Sequence, residues 1–391
     1  MKKILIFIII ASLAACKTQS HFNVVPVSDI QQTEEKKEGV YYALPRTHIA
    51  VDVSVVKTQS SHGPFAEYAS RYLGIENVIS ENSSSYEIRD IKISTFFEPD
   101  PEQFYFVEFG ESGQQENSQI MMELTESGLI VDVNSPSEFH ASGRMTYTMD
   151  EESNDYSASF NYFPDQNLYE KVDTIIQEIT RDTVTFERKI LKRKLVEKST
   201  RQKAKEAADF IRKLRNQKMN LITGYQETPY SKEALEYMYE ELESIENEYL
   251  KLFTGMKTTQ VINYRYFYLP PSNIYNVEEP LFRFSTKQGV VETDSDDGHM
   301  VYLQVERQRN AHKMLEHIKS NFDSGRERNG FYYRMPEYAR LTVKQGTVPR
   351  VEALYPISQF GVINSLPPGY NKIKFYPSSG MIRTIDIDEE K

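Results

Sequence analysis

Two apolar ladders, set back to back in the middle of the chain, constrain the fold more than any other feature. Ala204, Ala207, Ile211, Leu214, Lys218 and Leu221 follow one another at intervals of 3, 4, 3, 4 and 3 residues, and Leu235, Met238, Leu242, Ile245, Tyr249 and Leu252 repeat the same intervals. That spacing is the seam of a left-handed helix pair, interrupted only by Lys218. Ser199 and Gln202 form a capping box at the first helix, and Ser231 with Glu233 opens the second. Both helices run into a glycine stop, Gly224 and Gly255. At 1.5 Å per residue each spans roughly 33–36 Å, so the two are matched in length. Charge also favours their pairing: Arg188 to Lys218 carries 13 Lys/Arg against 3 Asp/Glu, whereas Ser231 to Leu252 carries 2 Lys against 7 Glu. A basic helix laid on an acidic one gains complementary flanks and discourages self-pairing.

On either side the period changes from that of a helix to that of a strand. The chain is rich in aromatic residues suited to strands, with 26 Tyr and 21 Phe and no Trp. His48–Val55, Tyr86–Phe97, Phe104–Phe109, Ile120–Val133 and Ser157–Phe163 read as strands before the helices. Val261–Leu269, Leu281–Thr293 and Met300–Glu306 do so after them, and Phe331 to Asp388 reads as strands joined by Pro/Gly turns. Pro64 to Gly74 reads as a short helix, and a further helix is expected from about Glu306 to Phe322. Two short patterns recur. Tyr41–Pro45, Tyr266–Pro270 and Tyr332–Pro336 share the form aromatic-aromatic-x-(Leu/Met)-Pro or a close variant, and each is expected to mark a strand boundary. Three alternating runs turn at Gly128, Gly289 and Gly380, each predicting a hairpin whose glycine takes positive φ. Two related β-rich domains and one domain interrupted by an insertion both fit these repeats. The fold class expected is α+β, two sandwich-like β-rich regions with an antiparallel helical hairpin between them. The predicted segments are 41–195, 196–256 and 257–391.

The N-terminus carries an address. Lys2 and Lys3 precede the apolar run Ile4–Ile10, and Leu13-Ala14-Ala15-Cys16 closes the segment, which is far too short to span a bilayer as a helix. This ending resembles the lipobox of bacterial lipoproteins, and the resemblance implies cleavage of residues 1–15 and acylation of Cys16, the chain's only cysteine. More than one acyl chain gives stable anchoring to the lipid bilayer. Loss of Lys2 and Lys3 takes the net charge from −11 to −13, so the body is not drawn to anionic lipid or to nucleic acid. Residues 16–40 are polar and read as a flexible tether. Lys17-Thr18-Gln19-Ser20 contains no acidic cluster, which by analogy with lipoprotein sorting points to the periplasm-facing side of the outer membrane.

Tyr41–Thr47, the Gly63-Pro64…Tyr68-Ala69…Tyr72–Ile75 block, Leu252–Gly255 and Tyr333–Pro336 with Tyr338-Ala339 together resemble an uncharacterised family of cell-envelope lipoproteins from Bacteroidota. The resemblance covers nearly the whole mature chain. It implies an exported lipoprotein and carries no catalytic or binding residue.

No reaction signature is present. Glycine-rich phosphate loops, the Gly-x-Ser-x-Gly elbow and the His-Glu-x-x-His zinc helix are all missing from the sequence. A single cysteine excludes a disulfide framework, and no cofactor or metal is expected. His312 and His317 lie five apart and point to different faces of a helix. Asp294–Gly298 reads as a solvated turn, because its spacing misses the calcium-loop pattern. Glu98–Glu102, with Pro99 and Pro101, reads as a stiff surface connection. The function expected is a non-catalytic, lipid-anchored binding or scaffolding module for another envelope macromolecule, with an envelope protein as partner and the helical hairpin as its docking arm. One alternative is glycan binding through Tyr332, Tyr333, Tyr266 and Tyr268, since aromatic faces stack on sugars. A glycan hydrolase is a further alternative, but 57 acidic residues leave its carboxylates unselected.

Overall fold

In the computed structural model the described residues are 22–29, 38–109, 121–133, 168–181, 184–224, 230–308, 330–366 and 372–386, with Phe160, Glu316 and Ser320. Cys16, His312, His317 and most of the helix expected over 306–322 lie outside them, as does the strand expected at Ser157–Phe163 apart from Phe160.

Strands β1 (Phe22–Pro26), β2 (Gly39–Ser61), β3 (Ser83–Phe109) and β8 (Met256–Tyr268) form a four-stranded antiparallel sheet in the order β1-β3-β2-β8. A five-stranded sheet runs β10 (Gly289–Val291), β9 (Asn276–Ser285), β11 (His299–Arg307), β12 (Phe331–Gln345), β13 (Val348–Leu366). Their facing sides alternate apolar and polar, so Ile49, Val51, Val53 and Val55 of β2 meet Phe282, Leu303, Leu341 and their neighbours in one shared core. A third sheet, in the order β15 (Met381–Asp386), β14 (Lys372–Tyr376), β5 (Ile130–Val133), β4 (Met122–Leu124), closes a second core around Tyr42, Leu44, Tyr105, Phe331 and Phe375. Strands β6 (Leu168–Arg181) and β7 (Val184–Glu197) form a hairpin that among the described residues pairs with no other strand.

The stretches 41–195 and 257–391 therefore do not each close on their own core. β8 pairs along β2, β14 pairs with β5, and both main cores draw on both stretches. Nor are residues 16–40 wholly a tether. Phe22–Pro26 lies antiparallel to Tyr105–Phe109, and Val24 is buried. Five residues are too few to show a period, and the otherwise unpaired edge of β3 supplies the ordering.

Two of the three Tyr–Pro motifs sit inside long strands, not at their boundaries. At Pro45 the register of β2 against β3 jumps from Ala43↔Phe104 to Pro45↔Pro99, and at Pro336 that of β12 against β13 jumps from Met335↔Val362 to Glu337↔Ile357. A proline that cannot donate to the ladder is accommodated at each place by an irregularity, and the strand bends and continues. The third copy does end β8, with Pro270 just beyond it. After each bend-bearing hairpin comes a small one, β4–β5 or β14–β15, and its glycine carbonyl caps the motif. Ala43 N donates to Gly128 O at 3.0 Å, and Arg334 N donates to Gly380 O at 2.8 Å. One local arrangement is thus built twice, and the small hairpins join through β5 and β14.

The bends are where the two copies lock. Asp100, in the segment expected to be a surface connection, is buried, and its Oδ2 accepts from Arg334 Nη2 at 2.9 Å while Arg334 Nη1 donates to Pro45 O at 2.6 Å. Thr47 exchanges hydrogen bonds with Ser358 and Gln359 in the β13 bend, and Gln359 also donates to Pro270 O. The three proline motifs meet at this node.

Candidate docking surface

Helices α2 (Thr200–Thr223) and α3 (Lys232–Thr254) stand between β7 and β8, where the ladders placed them. Ser199 Oγ accepts from Gln202 N and Gln202 Oε1 accepts from Ser199 N, so the capping box is closed. Gly224 takes φ 73 and ends α2 in the left-handed region that glycine adopts freely. At the base of the pair, Ala204, Ala207, Ala208, Ile211, Leu252 and Phe253 are buried against the short helix α1 (Ala69–Leu73) and the turn before it. Phe65 closes this third core: its ring lies 5.6 Å from that of Phe253 and its N donates to Leu252 O at 2.8 Å.

Lys218 does not break the seam. Glu246 on α3 is buried and takes Lys218 Nζ at 2.5 Å and Arg215 Nε at 2.6 Å. Burial pushes the Glu246 carboxyl up, but the hydrogen bonds and charges of Lys218 and Arg215 outweigh it and hold the group below its usual range. A carboxyl lowered on folding contributes stability above its unfolded pKa, about 4.3, and loses that contribution as pH falls through the folded value. Thermal melts followed by helix circular dichroism are therefore expected to show a drop below about pH 4. Glu246→Gln should flatten that drop and lower stability at neutral pH by about 2 kcal/mol. An unchanged acid profile in the variant would contradict the assignment.

Beyond Glu246 the pair leaves the body. From Arg215 to Gly224 and from Tyr230 to Ile245 no described residue is fully buried, so among the described residues the distal part has little cover beyond its partner helix. Exposed there are Met219 at 59%, Ile222 at 68%, Tyr230 at 47% and Tyr237 at 64%. Apolar side chains exposed toward the end of a helix pair suit a contact surface.

The four tyrosines proposed as sugar contacts are placed otherwise. Tyr332 is 4% exposed, its ring stacked 4.3 Å from Tyr105, and its N donates to the Tyr42 hydroxyl at 2.8 Å, so no ring face is left for a sugar. Tyr266 stacks on Phe282 at 4.9 Å, and burial followed by the neighbouring Tyr264 pushes its hydroxyl up to about 12. Tyr268 and Tyr333 are half-buried against the two main cores, and burial raises both hydroxyls. Strand parity aims Tyr266 and Tyr268 together at the first core. Among the aromatic residues on the outer face are Phe267, 52% exposed, Phe96 at 5.6 Å edge-to-face with it, and His48 stacked on Phe96 at 4.8 Å.

Two open clefts, of about 540 and 520 Å³, lie beside the helices. The first presents one carboxylate, Glu81, and the second presents Arg71, Arg201 and Lys205 with no carboxylate, so neither has the paired acids of a glycan hydrolase. Among the described residues no group of three His, Cys, Asp or Glu could hold a metal ion, and no helix is long and apolar enough to cross a membrane.

Interlocked antiparallel sheets bearing a helical pair define a β-rich protein that exposes apolar side chains toward the end of that pair. The chain belongs to the family described as domain of unknown function DUF4831, whose model matches residues 38–383. No curated protein and no solved structure matches it.

Proposed function

We propose that this protein is a lipid-anchored component of the cell envelope, held through acylated Cys16 at the outer membrane on its periplasmic side. There it acts as a binding or scaffolding module for an envelope protein. The observation that carries the reading is the α2–α3 arm: locked to the body at one end by the Phe65–Phe253 core, it presents Met219, Ile222, Tyr230 and Tyr237 to solvent at the other. The lipobox ending at Cys16 supports the anchor, and the Bacteroidota lipoprotein resemblance supports the setting.

The test is co-purification from solubilised membranes. The native chain is expected to retain a stable protein partner, and the combined variant Met219→Ser, Ile222→Ser, Tyr237→Ser to lose at least tenfold of it, because a few large side chains carry most of the binding energy at such surfaces and the variant removes three of them together. These side chains are exposed, so the melting temperature stays put and the loss reports contact. Cys16→Ser should move the chain out of the membrane fraction. Undiminished partner in the arm variant overturns the docking role. Retention on a polysaccharide matrix that vanishes with Phe267→Ala would instead favour glycan binding on the outer face of the β2–β3–β8 sheet.

A further inference from the structure

No other described strand joins the β6–β7 hairpin. A two-stranded ribbon alone is marginal in water, yet this one runs 14 residues in each strand with neither outer edge paired among the described residues. It exposes Leu168, Val172, Ile175, Ile176, Ile190, Leu191 and Leu195 at 38 to 72%.

The register shows how these side chains are arranged. Directly paired residues share a face, and faces alternate along each strand. One face carries the pairs Leu168↔Glu197, Glu170↔Leu195, Val172↔Arg193, Thr174↔Leu191 and Ile176↔Lys189. Its apolar members zigzag between the strands as Leu168, Leu195, Val172, Leu191, Ile176, each diagonal to the next and so within side-chain reach. The stripe reads alike in both directions from Val172. The opposite face also carries Tyr169↔Val196 and Ile175↔Ile190, but these sit among Lys171, Arg188, Lys192 and Lys194 with Asp173 the one acid beside them, so two copies would repel across it.

We propose that the Val172 face is a self-association surface, and that two copies of this chain stack their β6–β7 hairpins face to face about a two-fold axis passing beside Val172. A two-fold lying between the ribbons and perpendicular to the strands sets Leu168 on the partner copy's Ile176, Leu195 on its Leu191, and Val172 on its own counterpart. The same operation sets Glu197, which is 72% exposed although it holds Lys203 at 2.9 Å, opposite Lys189, which has no ion-pair partner among the described residues. Arg193 meets its own copy, each guanidinium tied to Glu170 at 3.6 Å. Ribbons related in this way overlap over residues 168–176 and 189–197, which at about 3.4 Å per residue and roughly 10 Å wide covers on the order of 310 Å² per copy. That is smaller than a standard specific interface, so the dimer is a weak and transient one that forms as concentration rises.

Sedimentation velocity of the full-length chain in detergent is expected to show monomer converting to dimer as concentration rises. Leu191→Glu and Leu195→Glu should each weaken the dimer at least tenfold while leaving the circular dichroism spectrum unchanged. Symmetry gives a sharper test in a Cys16→Ser background, which has no other thiol. With a short bis-maleimide, Val172→Cys should cross-link to itself. Leu168→Cys and Ile176→Cys should each fail alone, since like positions stand roughly 27 Å apart across the axis, but should couple when mixed. A chain that stays monomeric at every concentration overturns the proposal. So does a dimer indifferent to both glutamates, or one in which Leu168→Cys cross-links to itself, as another geometry would require.

Discussion

Replacing Arg334 with alanine is expected to cost about 3–5 kcal/mol of unfolding free energy, a large share of the roughly 5–15 kcal/mol typical of a folded domain. Arg334 is 5% exposed and Asp100 is 8% exposed. Removing the guanidinium leaves a buried carboxylate without its cation and the Pro45 carbonyl without its donor. Arg334→Lys should not rescue it, because one ammonium on a flexible stem does not reproduce the planar fork that reaches Pro45 O and Asp100 together. The double variant Arg334→Met, Asp100→Leu should recover most of the loss, since replacing both buried charges by apolar groups is often neutral. Urea titration checks the series. A single-variant cost below about 1 kcal/mol would mean that the pair does not hold the two bends together.

Distance along the chain decides what is legible in the sequence. The α2–α3 pair is readable because its signals are local: a 3,4 spacing, Ser199 with Gln202, and Gly224. The hairpin glycines are readable for the same reason, and Gly128, Gly289 and Gly380 all adopt positive φ. Arg334 and Asp100 are 234 residues apart, and nothing near either one announces the other. A surface reading of Glu98–Glu102 follows from its prolines and acids, yet a proline in a strand can equally bend the strand inward, as Pro99 and Pro101 do. Lys218 looks like a flaw in the seam because its answering residue, Glu246, falls one place outside the apolar ladder of α3. The tyrosines show a further limit. Alternation indicates that two faces differ but not which is covered, and only the five-stranded sheet turns Tyr266 and Tyr268 inward. The β6–β7 hairpin escapes a sequence reading because its apolar residues zigzag between strands, so neither strand alone shows a clean period of two.

The bend opposite Pro336 gives the other large expected effect. A Cβ built on Gly361 would stand 1.7 Å from Met335 O, 2.6 Å from Met335 C and 2.8 Å from Pro336 Cα. All three atoms are backbone, in the strand whose register slips there to accommodate the proline, so no side chain can rotate away. Relief requires moving β12 off β13 at the point where Thr47, Ser358 and Gln359 bind the bends together. Gly361→Ala is therefore expected to exceed the usual cost of overpacking, roughly 1–3 kcal/mol, at about 4 kcal/mol or outright failure to fold, read as urea midpoint or soluble yield. Gly346 is the natural control. It has φ 59, and a methyl added there would have nothing within 4 Å, so Gly346→Ala meets torsional strain alone, about 1–2 kcal/mol. The larger loss at Gly361 would show that the fold depends on close backbone contact between the two bent strands. Equal losses at the two positions would show that β12 and β13 can part there without harm.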